Sequence, residues 1–599
     1  MYYNVFGEKV SRAKYKEMQD AAKNRRELIA GGCYSRRDLM KMGLLTGAGM
    51  LVAKSGLSAR AGSFLPVMQA ASPPITPFVD PLNIMPIKQP VKKLTPAPTV
   101  CPNVTAGEGR TVCHQGFTRF PPQKLYSISQ QAATLRVSSS LPPQVLWTFD
   151  GFSPGPTYVA RYGEPILVRN FNNLPPPNQN GGFGLPEVTT HLHNGHTPSE
   201  SDGFFADFYT RGQFYDQHYP NVLAGFNSTH PPNGDINESL STLWYHDHRV
   251  AFTAQNTYKG LVGQYLLFNQ FDTGDEGTGF HLPSFPQFDV PLIFADRVFD
   301  GNGTLAFDLF NIDGILGDVF LVNGVAQPFF NVQPRRYRFR LTDVGPSRFY
   351  QFFLTDPSNL SARNLYWLIA NDGNLLPRPV QVESATIGVA ERVDIIIDFR
   401  PFAGKTLVLE NRLQQLLGRG PADPPVVLPA GQGNQLLQFR VSSRAVSDGS
   451  GDPASQTFYT LPSTTQTPVV TRHFAWDRLN GQWSINGRFV DPNETRFTIT
   501  QNTAEHWVMT NLSGDWQHPL HIHLEEHQIL TRNGQPPSPS ETSRKDVMRL
   551  HQNESVKLFF RFRDWTGRYP VHCHNTVHED HQMMMRWEIQ PVGDTNRNP

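Results

Sequence analysis

Val571-His572-Cys573-His574-Asn575-Thr576-Val577-His578-Glu579-Asp580-His581-Gln582-Met583 is the stretch from which the rest of the chain can be read. Its pattern predicts a strand running into a loop. Strand side chains alternate between two faces. His572 and His574 therefore share one face, and Cys573 points to the other. A cysteine, a histidine five residues on and a methionine five beyond that make most of a blue-copper ligand set, which is two His, one Cys and a weak axial Met. The two flanking histidines are left for a second metal centre behind the first. A single peptide step, Cys573 to His574, would join the two.

The missing ligands are elsewhere in the chain. His518-Pro519-Leu520-His521-Ile522-His523 gives three histidines. His521 and His523 share a face, and His518, an odd number of residues away, is free to serve the other centre. His191-Leu192-His193 and His246-Asp247-His248 supply two more His-x-His pairs. Neutral imidazole and soft sulfur both suit copper. One His-x-His pair alone is most often an accident of a surface or a core. Four pairs, one of them centred on the only cysteine beyond residue 113, are not accounted for that way.

On these residues the chain resembles the three-domain multicopper oxidases of laccase type. The resemblance implies four copper ions. His518, Cys573, His578 and Met583 match the type 1 ligands, and His191 and His521 the type 2 pair. His193, His246, His248, His523, His572 and His574 match the ligands of the two type 3 ions. The wording of His191–Gly203, Leu243–Leu267 and His578-Glu579-Asp580 before Met583-Met584 is similar to the bacterial spore-coat laccase and bilirubin oxidase branch. The resemblance runs over roughly residues 120–595. It implies an all-β fold of three cupredoxin-like Greek-key β-sandwiches.

Composition agrees with such a fold and excludes other classes. At 599 residues the chain is too long for one core. It carries 53 basic and 52 acidic residues, so nothing argues for nucleic acid or an acidic partner. With 48 Gly, 50 Pro and short apolar runs, it reads as turn-rich β structure. No segment of the mature chain is long and apolar enough to predict a membrane span, and a monomer is expected. Cys101 and Cys113 flank a turn-rich loop and are either a disulfide or two free thiols.

In chain order, residues 1–61 read as an export region. Arg36-Arg37 precede the apolar run Met42–Ala53, with Ala59-Arg60-Ala61 as a cleavage motif. A twin arginine before a modest apolar segment predicts Tat export, and hence a periplasmic or extracellular protein. A basic amphipathic tail is the alternative. Cys33 would leave with the leader. Residues 62–120 are a Pro-, Ser- and Thr-rich linker and lead-in arm, expected to lie over the first domain.

An internal repeat then sets the domain count. Asp150-Gly151 precedes the strand Ile166–Asn170, Asn323-Gly324 precedes Tyr337–Leu341, and Asn486-Gly487 precedes Phe497–Thr500. Each copy is a tight turn followed by a strand of period two. Three like domains follow, at 121–285, 286–455 and 456–599. The first and third hold all the ligands, so a trinuclear cluster belongs between them.

Two carboxylates match residues that this branch places beside the cluster, Asp202 near the type 2 ion and Glu579 on the dioxygen path. Reducing dioxygen to water consumes protons, which gives carboxylates there a task. The alternatives are a turn cap for Asp202 and a solvated loop for Glu579. Asp247 points away from the ligands by parity and is expected to orient a ligand or its strand. Glu525-Glu526-His527 reads either as a metal-ion site or as a solvated strand end, and His581 has no assigned role.

The expected reaction is one-electron oxidation of phenols, aromatic amines or bilirubin-like pigments coupled to reduction of dioxygen. A metallo-oxidase acting on Mn(II), Fe(II) or Cu(I) is the second reading. A copper-free envelope scaffold is the third. Acidic side chains around His518 would favour the second.

Overall fold

The computed structural model describes residues 71–599 apart from 223–240, 310 and 480, together with the short strands Tyr2–Val5 and Glu8–Ser11. Arg36-Arg37, Cys33 and Ala59-Arg60-Ala61 lie outside the described residues.

Three two-sheet sandwiches follow one another. The first packs two four-stranded sheets, from the strand Lys124–Leu135 to the strand Val262–Phe268. The second packs an eight-stranded on a five-stranded sheet, from Asp289–Phe299 to Asn434–Val441. The third packs a six-stranded on a five-stranded sheet, from Val470–Leu479 to Met584–Gln590. Each closes over its own core: around Trp147, Phe149 and Tyr245 in the first, Phe294, Phe339 and Ile395 in the second, and Trp476, Trp507 and Trp587 in the third.

Strand register puts the histidines where they are. In the first sandwich β1 (Thr190–His193) pairs antiparallel with β2 (Thr242–Asp247), setting His191 opposite His246 and Leu192 opposite Tyr245. Leu192 and Tyr245 belong to the core. In the second sandwich, β3 (Arg392–Asp398) is an inner strand of the larger sheet. In the third, β4 (His518–Ile522) lies between β5 (Val547–Leu550) and β6 (Gly567–Cys573). There His521 stands opposite His572, and Leu520 opposite Cys573. Leu520, Ile522, Val571 and Cys573 are core residues. Each fully buried aliphatic side chain contributes about 1.5–3 kcal/mol. A one-residue slip would turn that apolar face toward the histidine cluster and force the histidines into the apolar core, so the core sets the register.

Two short helices follow the histidine strands: α1 (Thr253–Tyr258) after β2, and α2 (Thr576–Asp580) after β6. The α2 segment reads as loop in the sequence. It turns helical because the Asn575 side chain accepts from the Val577 N–H at 3.2 Å. Asp580 at the end of α2 accepts from the Ala254 N–H of α1 at 3.0 Å. This bond ties the first sandwich to the third.

The lead-in arm runs along two sandwiches rather than one. Lys88 N–H donates to Thr157 O and Val91 N–H to Leu125 O in the first, while Leu82 N–H donates to Phe329 O in the second. Exposed strand edges carry unpaired backbone groups that an extended segment can satisfy. Cys101 and Cys113 are joined in a disulfide.

Candidate metal centres

His518 begins β4, Cys573 ends β6 and His578 lies one turn into α2. Parity separated this trio from the other histidines, and the fold brings its members together. The Nδ1 atoms of His518 and His578 are 3.2 Å apart, and Cys573 Sγ is 3.4 and 3.5 Å from them. The centre of such a triangle is about 2 Å from each corner, close to a metal–imidazole bond. The far nitrogens are held: His518 Nε2 by Ser513 Oγ at 2.8 Å, and His578 Nε2 by donation to Asp313 O at 2.9 Å. That leaves the Nδ1 atoms free to bind. Met583 is fully buried in the same core, and its carbonyl accepts from the Cys573 N–H at 3.0 Å. Burial raises the Cys573 thiol well above its usual range and pushes His518 down to about 3. Burial and the neighbouring His518 ring also hold His578 low. The site therefore offers a thiol and neutral imidazoles, and a cation binding there would displace the thiol proton.

The eight paired histidines divide three ways. His191 and His521 face each other through Nε2 at 3.3 Å. His248, His523 and His572 form a second triangle of Nε2 atoms with edges of 3.2–3.3 Å. His193, His246 and His574 bring their ligand atoms within 4.8 Å of one another. Both nitrogens of His574, Nδ1 of His193 and Nε2 of His246 lack a hydrogen-bond partner among the described residues. A buried polar atom left unpaired costs about 1–3 kcal/mol, so this pocket is unfavourable unless a cation fills it. Burial, and then the neighbouring rings, hold four of these imidazoles low: His246 is lowered to about 3, and His191, His521 and His523 lie well below the usual range.

Buried carboxylates back the rings. Asp202 Oδ2 is 2.7 Å from His523 Nδ1, and Oδ1 is 3.6 Å from His191 Nδ1. Gly203 follows at φ +81°, where an added Cβ would lie 2.3 Å from Thr190 O. Only glycine lets this turn lie against β1. Glu579 is 3.2 Å from His248 Nδ1 and 3.1 Å from His572 Nδ1. Burial raises the Asp202 carboxyl well above its usual range. Burial would raise Glu579 too, but the His572 and His248 rings outweigh it and hold this carboxyl low. Asp247 accepts from the Thr189 N–H at 2.9 Å and Asn256 Nδ2 at 2.8 Å, bracing its strand, while its carbonyl accepts from His246 Nδ1 at 2.8 Å.

Among known proteins, the chain is 32% identical over 536 residues to the bilirubin oxidase of Albifimbria verrucaria, covering 88% of this chain and 84% of that one. The chain belongs to the multicopper oxidases. The family's sequence description, "multicopper oxidase", matches residues 462–593. A Bacillus subtilis laccase is 31% identical over 522 residues, covering 78% of this chain and 94% of the laccase. The fold is shared with a solved laccase of Pediococcus acidilactici, at TM-score 0.66 and 20% identity over 87% of this chain and 95% of that one. It is shared too with a Campylobacter jejuni multicopper oxidase described as a metallo-oxidase, at TM-score 0.65 and 17% identity over 88% and 98%. This multicopper oxidase is thus an enzyme of the three-domain laccase type, and the family's copper chemistry fits its histidine clusters.

Glu525-Glu526-His527 is neither a solvated strand end nor a metal site. Glu525 is buried and accepts from the Arg563 N–H at 2.8 Å. Glu526 pairs with Arg544 and accepts from Asn194 Nδ2 at 2.9 Å. His527 is fully buried beside Phe560. The run meets partners supplied by distant segments, and its three side chains do not converge.

Sequence reasoning missed Asp546, Arg392 and the Asp313 carbonyl. Asp546 Oδ2 is 2.7 Å from His193 Nε2, and its backbone carbonyl accepts from His521 Nδ1 at 3.0 Å. No motif marks it. Its place depends on β5 pairing with β4, which sets His521 opposite Val547.

Proposed function

We propose that this enzyme couples one-electron oxidation of phenolic, aromatic amine or bilirubin-like reductants to four-electron reduction of dioxygen to water. His518, Cys573, His578 and Met583 would hold the type 1 copper, and His191 and His521 the type 2 copper. The triads His248/His523/His572 and His193/His246/His574 would hold the type 3 pair, giving four ions in all. When bound, copper supplies the one-electron redox steps and the site at which dioxygen accepts four electrons. One observation carries the reading. Cys573 sits in the mononuclear triangle, while its neighbours His572 and His574 sit in different triads. One short strand thus links reductant side to oxygen side by covalent bonds.

The residues have separate tasks. Asp313 O accepts from His578 Nε2 near the surface, and Trp483 packs on the same ring at 4.0 Å. Trp516 packs on Trp483 at 5.4 Å, so an aromatic face leads toward His578. Two acidic side chains on this side are paired with arginines: Asp313 with Arg478 at 2.9 Å and Asp515 with Arg419 at 2.7 Å. This favours an organic reductant over a metal ion, which needs free carboxylate oxygens. Asp202 and Glu579 would hold and pass protons at their carboxylate oxygens. We place the domain limits at 121–285, 286–455 and 456–599, and read residues 1–61 as a Tat signal exporting a monomer.

The test is copper content with oxygen uptake on loaded enzyme, offering a phenol, bilirubin, Mn(II), Fe(II) and Cu(I) in turn. Four coppers and uptake with phenol or bilirubin are expected. Uptake with the metal ions alone would favour a metallo-oxidase. No copper and no uptake would refute the reading.

A further inference from the structure

Three carboxylates surround the histidine cluster, and each faces rings of both the first and the third sandwich. Asp202 faces His191 and His523, and Glu579 faces His248 and His572. Asp546 is the third. Its Oδ2 is 2.7 Å from His193 Nε2 and 3.5 Å from His521 Nδ1. It differs from the others in having a fixed cation, because Oδ1 is 2.9 Å from Arg392 Nη1. Arg392 belongs to β3 of the second sandwich, which holds no histidine of the cluster. It is held in turn by Ala390 O at 2.9 Å and Asp372 O at 2.8 Å. All three sandwiches therefore meet at Asp546. All of these groups are buried.

We propose that Asp546 is a positioning residue of the trinuclear centre, holding His193 and His521 across the interface, and that Arg392 holds Asp546. The inference rests on the copper reading above. The Asp546 backbone carbonyl takes the Nδ1 proton of His521 and so turns its Nε2 toward His191. The carboxylate at His193 Nε2 leaves Nδ1 of that ring for the triad with His246 and His574. Partners of this kind set ring orientation and tautomer, and their loss typically weakens metal affinity about 10–100-fold. On this account the second sandwich is part of the site's framework.

The experiment uses the full chain with Asp546→Ala, Asp546→Asn and Arg392→Met. Copper per chain, chelator competition for the trinuclear ions and the type 2 electron paramagnetic resonance signal are measured, with the blue type 1 absorption as internal gauge. Asp546→Ala should loosen trinuclear copper about 10–100-fold and alter the type 2 signal while the blue band stays. Asp546→Asn should lose less, since its amide oxygen still accepts from an imidazole, and Arg392→Met should change the signal in the same direction. Unchanged affinity and signal in both Asp546 variants would overturn the proposal. So would parallel loss of blue colour and trinuclear copper, which marks general destabilisation. If Asp546→Ala does not fold, Asp546→Asn decides by the same two readouts. Unmodified enzyme lacking trinuclear copper would instead refute the copper reading itself.

Discussion

Replacing His527 with leucine should make the copper-free enzyme more resistant to acid. His527 is fully buried, and neither ring nitrogen has a hydrogen-bond partner among the described residues. Burial lowers it to about 3. In the unfolded chain a histidine titrates near 6.5. The folded value is therefore depressed, and the unfolded chain binds the extra proton between the two values. Stability is present in full above about pH 6.5 and is lost as pH falls toward about 3. At about pH 4.5, two units below the unfolded value, the loss is about 2.7 kcal/mol for this one ring. That is a large share of a typical stability of about 5–15 kcal/mol. His246 and His518, both lowered to about 3, add comparable losses that persist in the variant. Six of the nine tryptophans lie beyond residue 470, so their fluorescence follows the third sandwich, where His527 resides. Urea unfolding of copper-free protein should show the variant losing about 2.7 kcal/mol less than the unmodified chain between about pH 7 and 4.5. Equal losses would refute the assignment of a proton-binding difference to His527.

Other outcomes follow from the same geometry. Cys573→Ser should abolish the blue colour and collapse turnover on a phenol while three coppers still bind; near-normal turnover would show that electrons enter the cluster directly. Glu579→Gln keeps shape and removes the titratable group, so dioxygen reduction should slow about 100-fold or more with the blue site intact; unchanged oxygen uptake across pH would remove Glu579 from the proton path. Because burial raises the Cys573 thiol, type 1 copper binding should release a proton and weaken as pH falls; proton-free binding in a pH-indicator titration would contradict a thiolate ligand. Replacing Arg36 and Arg37 with lysine should hold the precursor in the cytoplasm, and unchanged activity outside it would point to another signal.

The alternation of His572, Cys573 and His574, and the odd offset of His518 from His521, are local properties of a strand. Period-two geometry follows from backbone stereochemistry alone, so the division into two centres was legible before any fold was known. The repeated turn-and-strand units gave three sandwiches for the same reason. Which triad each histidine enters was not legible. That depends on β1 and β2 meeting β4 and β6 across an interface between separately closed cores. Asp546 stands beside His193 only because β5 pairs with β4, and it is paired only because Arg392 arrives from the second sandwich, 154 residues away. Glu525-Glu526-His527 was misread by the same logic. A charged run looks solvated until distant arginines bury it. Burial, pairing and the sharing of a carboxylate between domains are properties of packing. A linear pattern specifies which face of a strand a residue takes, and tertiary structure decides what that face meets.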